Sequence, residues 1–162
     1  MMMKTIRGVE FIIDADDYEL VSKYRWTVGK SNLKSRKEYL CIRTSANFGE
    51  KKRAISLPKL IMGIESGGMV VDHVNGDTFD NRKQNLRVCS PADNRKNLPI
   101  YTNNTSGYKG VCIHGNKYRA RIRVDKKTIN GGVYSSAREA AQRYNELAIT
   151  YHGDFARLNI IQ

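Results

Sequence analysis

Residues 71–88 read VDHVNGDTFDNRKQNLRV. Met69 to His73 reads as a strand, Asn75-Gly76-Asp77 as a turn, and Asn85 to Cys89 as a second strand with Leu86 and Val88 on one face. Ser90-Pro91-Ala92-Asp93 then opens a helix, with Ser90 as N-cap, Pro91 in the first turn and Asp93 in the capping-box position. The order is strand, long loop, strand, short helix. A turn does not require Asp72 and His73 directly after the apolar run Met69-Val70-Val71, so this stretch is a candidate site for a metal and a proton. Successive side chains alternate across a strand. Asp72 and His73 therefore either serve different sides of a site, or the strand is distorted there.

The chain around this stretch has 162 residues, enough for one ordinary domain or two to three small modules. No apolar run approaches the roughly 18 residues that span a bilayer, and the start MMMKTIRGVEF lacks the apolar core of a secretory signal. Cys41, Cys89 and Cys112 are odd in number and far apart, with no C-x-x-C pair, which argues against a structural zinc site and a disulfide framework. Reduced thiols and a cytoplasmic location are expected. The net charge is +12, and residues 94–131 hold nine basic and one acidic side chains of it. Charge of that density implies a polyanion, most simply a nucleic acid.

Four segments are expected in an α+β chain. Residues 1–66 form a small N-terminal α/β region. Its elements are a strand at Phe11-Ile12-Ile13, a short helix capped by Asp16 or Asp17 with Tyr18, Leu20, Val21 and Tyr24 inward, strands at Trp26 and Tyr39–Ile42, and a helix over Leu57–Met62. Gly67-Gly68 marks a turn, and residues 67–97 carry the strand–loop–strand–helix unit. Residues 98–107 are a polar, Asn-rich, flexible linker. Residues 108–162 read as three antiparallel strands packed on one helix. Tyr118 to Val124 alternates strictly, with Ala120, Ile122 and Val124 on one face and Arg119, Arg121 and Arg123 on the other. From about Ser136 to Tyr151, apolar residues recur at helical spacing.

The run Gly107–Asn159 resembles the Apetala2/ethylene-response-factor DNA-binding domain. Tyr108-Lys109-Gly110-Val111, Tyr118–Arg123, Gly132-Val133-Tyr134, Glu139-Ala140-Ala141 and Gly153–Asn159 carry the likeness. The resemblance implies that the sheet reads the DNA major groove while the helix backs it. It places Lys109, Cys112, His114, Arg121, Arg123, Thr128 and Asn130 at contact positions, with Lys117, Arg119 and Lys127 beside them. Cys112, His114 and Asn130 depart from the usual plant pattern, so the plant target sequence is not implied. Arg95 and Lys96 are expected on phosphates.

The opening stretch, extended through Ser90-Pro91-Ala92-Asp93-Asn94, resembles the HNH nuclease motif of phage and intron homing endonucleases, with its ββα-metal (His-Me finger) fold. The resemblance implies that Asp72 binds a metal and His73 is the general base. Asn85 braces the hairpin and orients His73, and Asn94 completes the metal site; Asn97, one helical turn on, is an alternative to Asn94. Asn81 and Arg87 fit loop bracing and a core-edge or phosphate contact. An oxygen donor at position 94 favours Mg²⁺ or Mn²⁺ over zinc. The expected function is metal-dependent, site-specific cleavage or nicking of double-stranded DNA by a monomer, with no membrane and no protein partner. The alternative is a non-catalytic, sequence-specific DNA-binding regulator.

Overall fold

The computed structural model describes residues 1–30, 40–48, 51–64 and 67–161. It is a mixed helix-and-sheet molecule that divides into two compact units, Met1–Asn94 and Arg95–Gln162.

The first unit opens with β1 (Met2–Lys4) and β2 (Glu10–Ile12), paired antiparallel. A 3₁₀ turn at Ala15–Asp17 leads into the single-turn helix α1 (Tyr18–Val21). One turn cannot bury four positions, so Val21 is fully buried whereas Tyr18, expected inward, is 45% exposed. Trp26 is buried just ahead of its strand and donates its indole N–H to the Val21 carbonyl at 2.9 Å. β3 (Thr27–Lys30), β4 (Leu40–Phe48) and β5 (Lys51–Ser56) form an antiparallel sheet in that order. Tyr39, expected in the strand of Ile42, lies outside the described residues. α2 (Leu57–Ile61) carries Pro58 in its first turn, where a missing N–H costs nothing.

β6 (Val70–His73) and β7 (Leu86–Cys89) form a two-stranded hairpin, followed by α3 (Pro91–Asn97). Such a pair cannot sustain a core alone. Leu86 joins Phe11, Ile13, Val21, Trp26, Ile42, Leu57 and Ile61 in one cluster. The first unit takes in both the N-terminal strands and the hairpin, which share this core. Cover stops at Leu86: Val88, two residues along on the same face, is 40% exposed.

In the second unit, β8 (Val111–His114), β9 (Lys117–Val124) and β10 (Lys127–Tyr134) form an antiparallel sheet with β9 central. Asp125 and Lys126, at φ 47° and 67°, make the tight turn between β9 and β10. α4 (Ala137–His152) starts at a complete Ser136–Glu139 capping box. It buries Ala140, Ala141, Tyr144, Leu147 and Ala148 among Val111, Ala120 and Ile122. Residues 98–107 belong to this unit. Asn104 accepts from Ser106 Oγ and the Gly107 N–H and donates to the Tyr108 carbonyl, and Ser106 Oγ reaches the Val111 carbonyl. Asn and Ser bond readily to nearby backbone, which is why an Asn-rich stretch forms an ordered turn here. No helix among the described residues is long and apolar enough to cross a membrane.

Candidate functional site

The hairpin register pairs Asp72 with Arg87 and His73 with Leu86. Asp72 and His73 are 4% and 5% exposed, so both are buried although a strand sends them to opposite faces. Arg87 donates from Nε and Nη2 to Asp72 Oδ2 at 2.9 and 2.7 Å. That pairing compensates the cost of burying a carboxylate.

The loop from Val74 to Asn85 is tied by its own polar side chains. Asn75 Oδ1 accepts the Asp77 N–H at 2.7 Å, and Asp77 Oδ1 accepts the Phe79 N–H at 2.9 Å. Gly76 sits between them at φ 80°, a conformation that favours glycine. Asn85 Oδ1 accepts the Asn75 N–H at 3.0 Å while its Nδ2 donates to the Asp80 carbonyl at 2.8 Å. Asn85 therefore ties both ends of its amide to loop backbone.

The residue against His73 is Asn81, whose Oδ1 lies 3.1 Å from Nε2. Asn81 Nδ2 donates to the Thr78 carbonyl at 3.2 Å. A carbonyl only accepts, so the amide orientation is determined and Oδ1 must face the imidazole. His73 Nε2 then carries the proton, and in the neutral ring the lone pair belongs to Nδ1. Burial lowers the His73 pKa below its ordinary 6.5, opposed by the Asn81 bond and by Asp72, Asp77 and Asp80. The neutral, proton-accepting ring is thereby favoured near neutral pH.

Asn94 lies at the end of the first unit, in α3, with its N–H on the Ser90 carbonyl at 3.0 Å. The buried Cys89 thiol connects it to Asp72: it takes a hydrogen bond from the Asn94 backbone and feels the Asp72 charge. Burial, the largest cause, and Asp72 push the thiol up. Asp72 offers a carboxylate and Asn94 an amide oxygen, donors of the kind that suit a hard divalent cation. Among the described residues no three His, Cys, Asp or Glu side chains converge as ligands, so water would complete the shell of such a cation. Asn97 is buried in the second unit, where its carbonyl faces Arg157.

Two nearby sets of ion pairs are not signalled by the sequence pattern. Arg82 binds Asp80 through Nε and Nη2 at 2.8 and 2.7 Å, and this bonding holds the Asp80 carboxyl below its usual range. Lys83 places its N–H on Asp14 and its ammonium on Asp17, at 2.7 and 2.6 Å. No local period connects positions 66 to 69 residues apart, so pattern alone could not find the Lys83 contacts.

In the second unit, the register puts Cys112, His114, Lys117, Arg119, Arg121, Arg123, Thr128 and Asn130 on the sheet face away from α4. Arg121 and Arg123 are exposed and make no ion pair among the described residues. They pair across the strands with Asn130 and Thr128. The Arg119 guanidinium lies against the His114 ring, with Nη2 2.6 Å from Nε2. Asn130 Oδ1 accepts the Gly132 N–H at the bulge where the β9–β10 register shifts. Lys127 pairs with Val124 and so falls on the opposite register, exposed at the sheet's end. Lys109 departs further from expectation: its ammonium sits on the Lys96 carbonyl and on the Leu98 carbonyl at 2.8 Å, which commits it to closing the end of α3. The Lys96 ammonium lies 6.0 Å from the Phe155 ring centre, and Arg95 is exposed.

The buried Asp72-His73 pair lies on a hairpin that runs into a helix, within a stretch similar to a known family. Residues 61–96 match the HNH endonuclease family. Over 157 residues the chain is 29% identical to a protein of Acanthamoeba polyphaga mimivirus named as an uncharacterized HNH endonuclease, covering 96% of this chain and 77% of the relative. Over 103 residues it is 28% identical to Protein 3.8 of Escherichia phage T7, covering 56% and 75%. No solved structure matches. The likeness to HNH endonucleases thus falls on residues 61–96, the stretch that includes the β6–β7 hairpin and most of α3.

Proposed function

We propose that this protein is a divalent-metal-dependent endonuclease that hydrolyses phosphodiester bonds of double-stranded DNA at a site selected by its C-terminal sheet. The observation that carries the reading is the buried His73, its ring held by Asn81 so that Nδ1 is the accepting nitrogen, next to the buried carboxylate of Asp72. His73 Nδ1 takes the proton from the attacking water. Asp72 and Asn94 would hold Mg²⁺ or Mn²⁺, which supplies Lewis-acid polarisation of the phosphate and support for the leaving oxygen. Asn85 maintains the loop that carries Asn81.

The sheet face of Lys117, Arg119, Arg121 and Arg123, with His114, Thr128 and Asn130, has no acidic side chain among its strand positions. A three-stranded face of this kind suits the major groove, where arginine makes bidentate contacts to guanine. The reading agrees with the Apetala2-like pattern of residues 107–159 and with a homing endonuclease layout, in which a separate reader selects the site for a sequence-tolerant catalytic hairpin. Arg95 is available for a phosphate, whereas Lys109 is the weakest of the proposed contacts.

The test is incubation of supercoiled plasmid with the protein and Mg²⁺, with any nick mapped. Cleavage by the wild type, lost in His73→Ala while DNA binding persists, supports the assignment; undiminished cleavage by His73→Ala removes it. One observation favours a second reading, a non-catalytic DNA-binding regulator: Arg87 already takes Asp72 Oδ2. That reading requires specific binding with no nicking under any divalent metal.

A further inference from the structure

We infer that Asn81 is the positioning residue for His73, and that strand β2 of the N-terminal region is the jig that holds Asn81. The inference rests on the reading of His73 as the proton acceptor. Asn81 is 0% exposed, and both ends of its amide are used, Oδ1 on His73 Nε2 and Nδ2 on the Thr78 carbonyl. Its backbone is held equally firmly. The Asn81 N–H donates to the Ile12 carbonyl at 2.8 Å, the Ile12 N–H donates to the Phe79 carbonyl at 2.8 Å, and Ile12 forms a parallel bridge with Asp80.

A second anchor lies close by along the chain, where Asp14 accepts the Lys83 N–H and Asp17 accepts the Lys83 ammonium. Residues 12–17 thus grip residues 79–83 at both ends of a short loop. The consequence for His73 is specific. An amide free to turn could present either its oxygen or its nitrogen to the ring, and the imidazole would follow with either tautomer. Clamped by Thr78 and Ile12, Asn81 presents oxygen only, which selects the Nε2–H tautomer and fixes the ring plane. Asn85 shapes the same loop through the Asn75 N–H and the Asp80 carbonyl. The N-terminal region is therefore part of the catalytic geometry rather than an appended module.

The test uses the full chain, ¹⁵N-labelled, with long-range ¹H–¹⁵N correlation of the imidazole at a pH where the ring is neutral. The His73 signals are assigned by their loss in His73→Ala. The wild type should show the Nε2–H tautomer. Asn81→Asp, which keeps the accepting oxygen, should retain that tautomer; Asn81→Ala should shift it toward a mixture. In plasmid nicking with Mg²⁺, Asn81→Ala should lower kcat about 100-fold with KM for DNA nearly unchanged, the loss expected of a misoriented catalytic group. Asn81→Asp should recover about tenfold over the alanine variant. An Nδ1–H tautomer in the wild type overturns the inference, whatever the Asn81 variants do. An unchanged tautomer and kcat in a folded Asn81→Ala also overturns it. If the wild type nicks no DNA yet loses its Nε2–H signal in Asn81→Ala, the clamp stands and the nuclease reading falls.

Discussion

Arg87 and Asp72 face one another across the hairpin, and both donors of the guanidinium edge converge on a single oxygen, Asp72 Oδ2, at 2.9 and 2.7 Å. The carboxylate side chain is 5% exposed and the arginine 19%, so little water assists either charge. Removing the partner of a buried carboxylate costs about 3–5 kcal/mol, and Arg87→Met should lower the melting temperature accordingly. A cation bound only by the folded state offsets part of such a loss. Melts of the variant in EDTA and in Mg²⁺ should therefore differ, with Mg²⁺ recovering more stability than it adds to the wild type. Identical melts in the two buffers would show that Asp72 holds no metal.

Local chemistry made the hairpin and the C-terminal sheet readable, and distance along the chain hid the rest. Ser90, Pro91 and Asp93 announce α3, and Ser90 does accept the Asp93 N–H at 3.1 Å. Ala120 and Ile122 alternate with Arg121 and Arg123 in the structure as they do in the sequence. By contrast, the contact of Asn81 with His73 depends on Ile12, far earlier in the chain, and no period encodes it. Leu86 binds the hairpin into the N-terminal core for the same kind of reason. The charge of Lys109 suggests an anion, while its ammonium lies on the carbonyls of Lys96 and Leu98. Side-chain type alone does not distinguish a phosphate from the end of a helix.

Gly110 is where the chain enters β8 beneath α4. Its φ is 74°, and a Cβ there would overlap the Tyr144 ring and stand 2.8 Å from the Arg121 carbonyl oxygen. Tyr144 is 2% exposed, so its ring has no easy route aside. Gly110→Ala combines backbone strain with overpacking and should destabilise the second unit by roughly 2–4 kcal/mol. Chemical denaturation followed by tyrosine fluorescence would register the loss. Unaltered stability would mean that the Tyr144 ring is loosely held.

His152, at the end of α4, is 8% exposed, with Nε2 3.1 Å from the Arg123 carbonyl. Burial lowers its pKa below 6.5, helped by Lys96 and Lys109 and opposed by the Arg123 bond. The unfolded chain then takes up the proton first as pH falls. Stability from this group is full above about pH 6.5 and declines below it, until the folded ring also protonates. Between about pH 7 and pH 5, His152→Gln should lose less stability than the wild type, because the neutral amide has no proton to gain. Thermal melts at the two pH values provide the comparison. Equal pH sensitivity in both proteins would show that another group dominates the acid limb.

Arg121 and Arg123 stand on the exposed sheet face, paired across the strands with Asn130 and Thr128. Three basic side chains spaced two apart on one strand repel one another unless an anion approaches, and none of the described strand positions carries an acid to relieve them. If they read bases, each should be worth roughly 1–3 kcal/mol in specific binding. Replacing both by alanine should then weaken a specific duplex more than a random one. If they bind phosphates alone, the two duplexes should weaken equally, and the slope of log K against log salt should fall by about 0.9 for each phosphate no longer neutralised. Titrations of both duplexes across a salt series separate these cases. The outcome that removes the sheet from recognition altogether is an affinity and a salt slope unchanged by the double substitution, which would return the DNA contact to the hairpin unit.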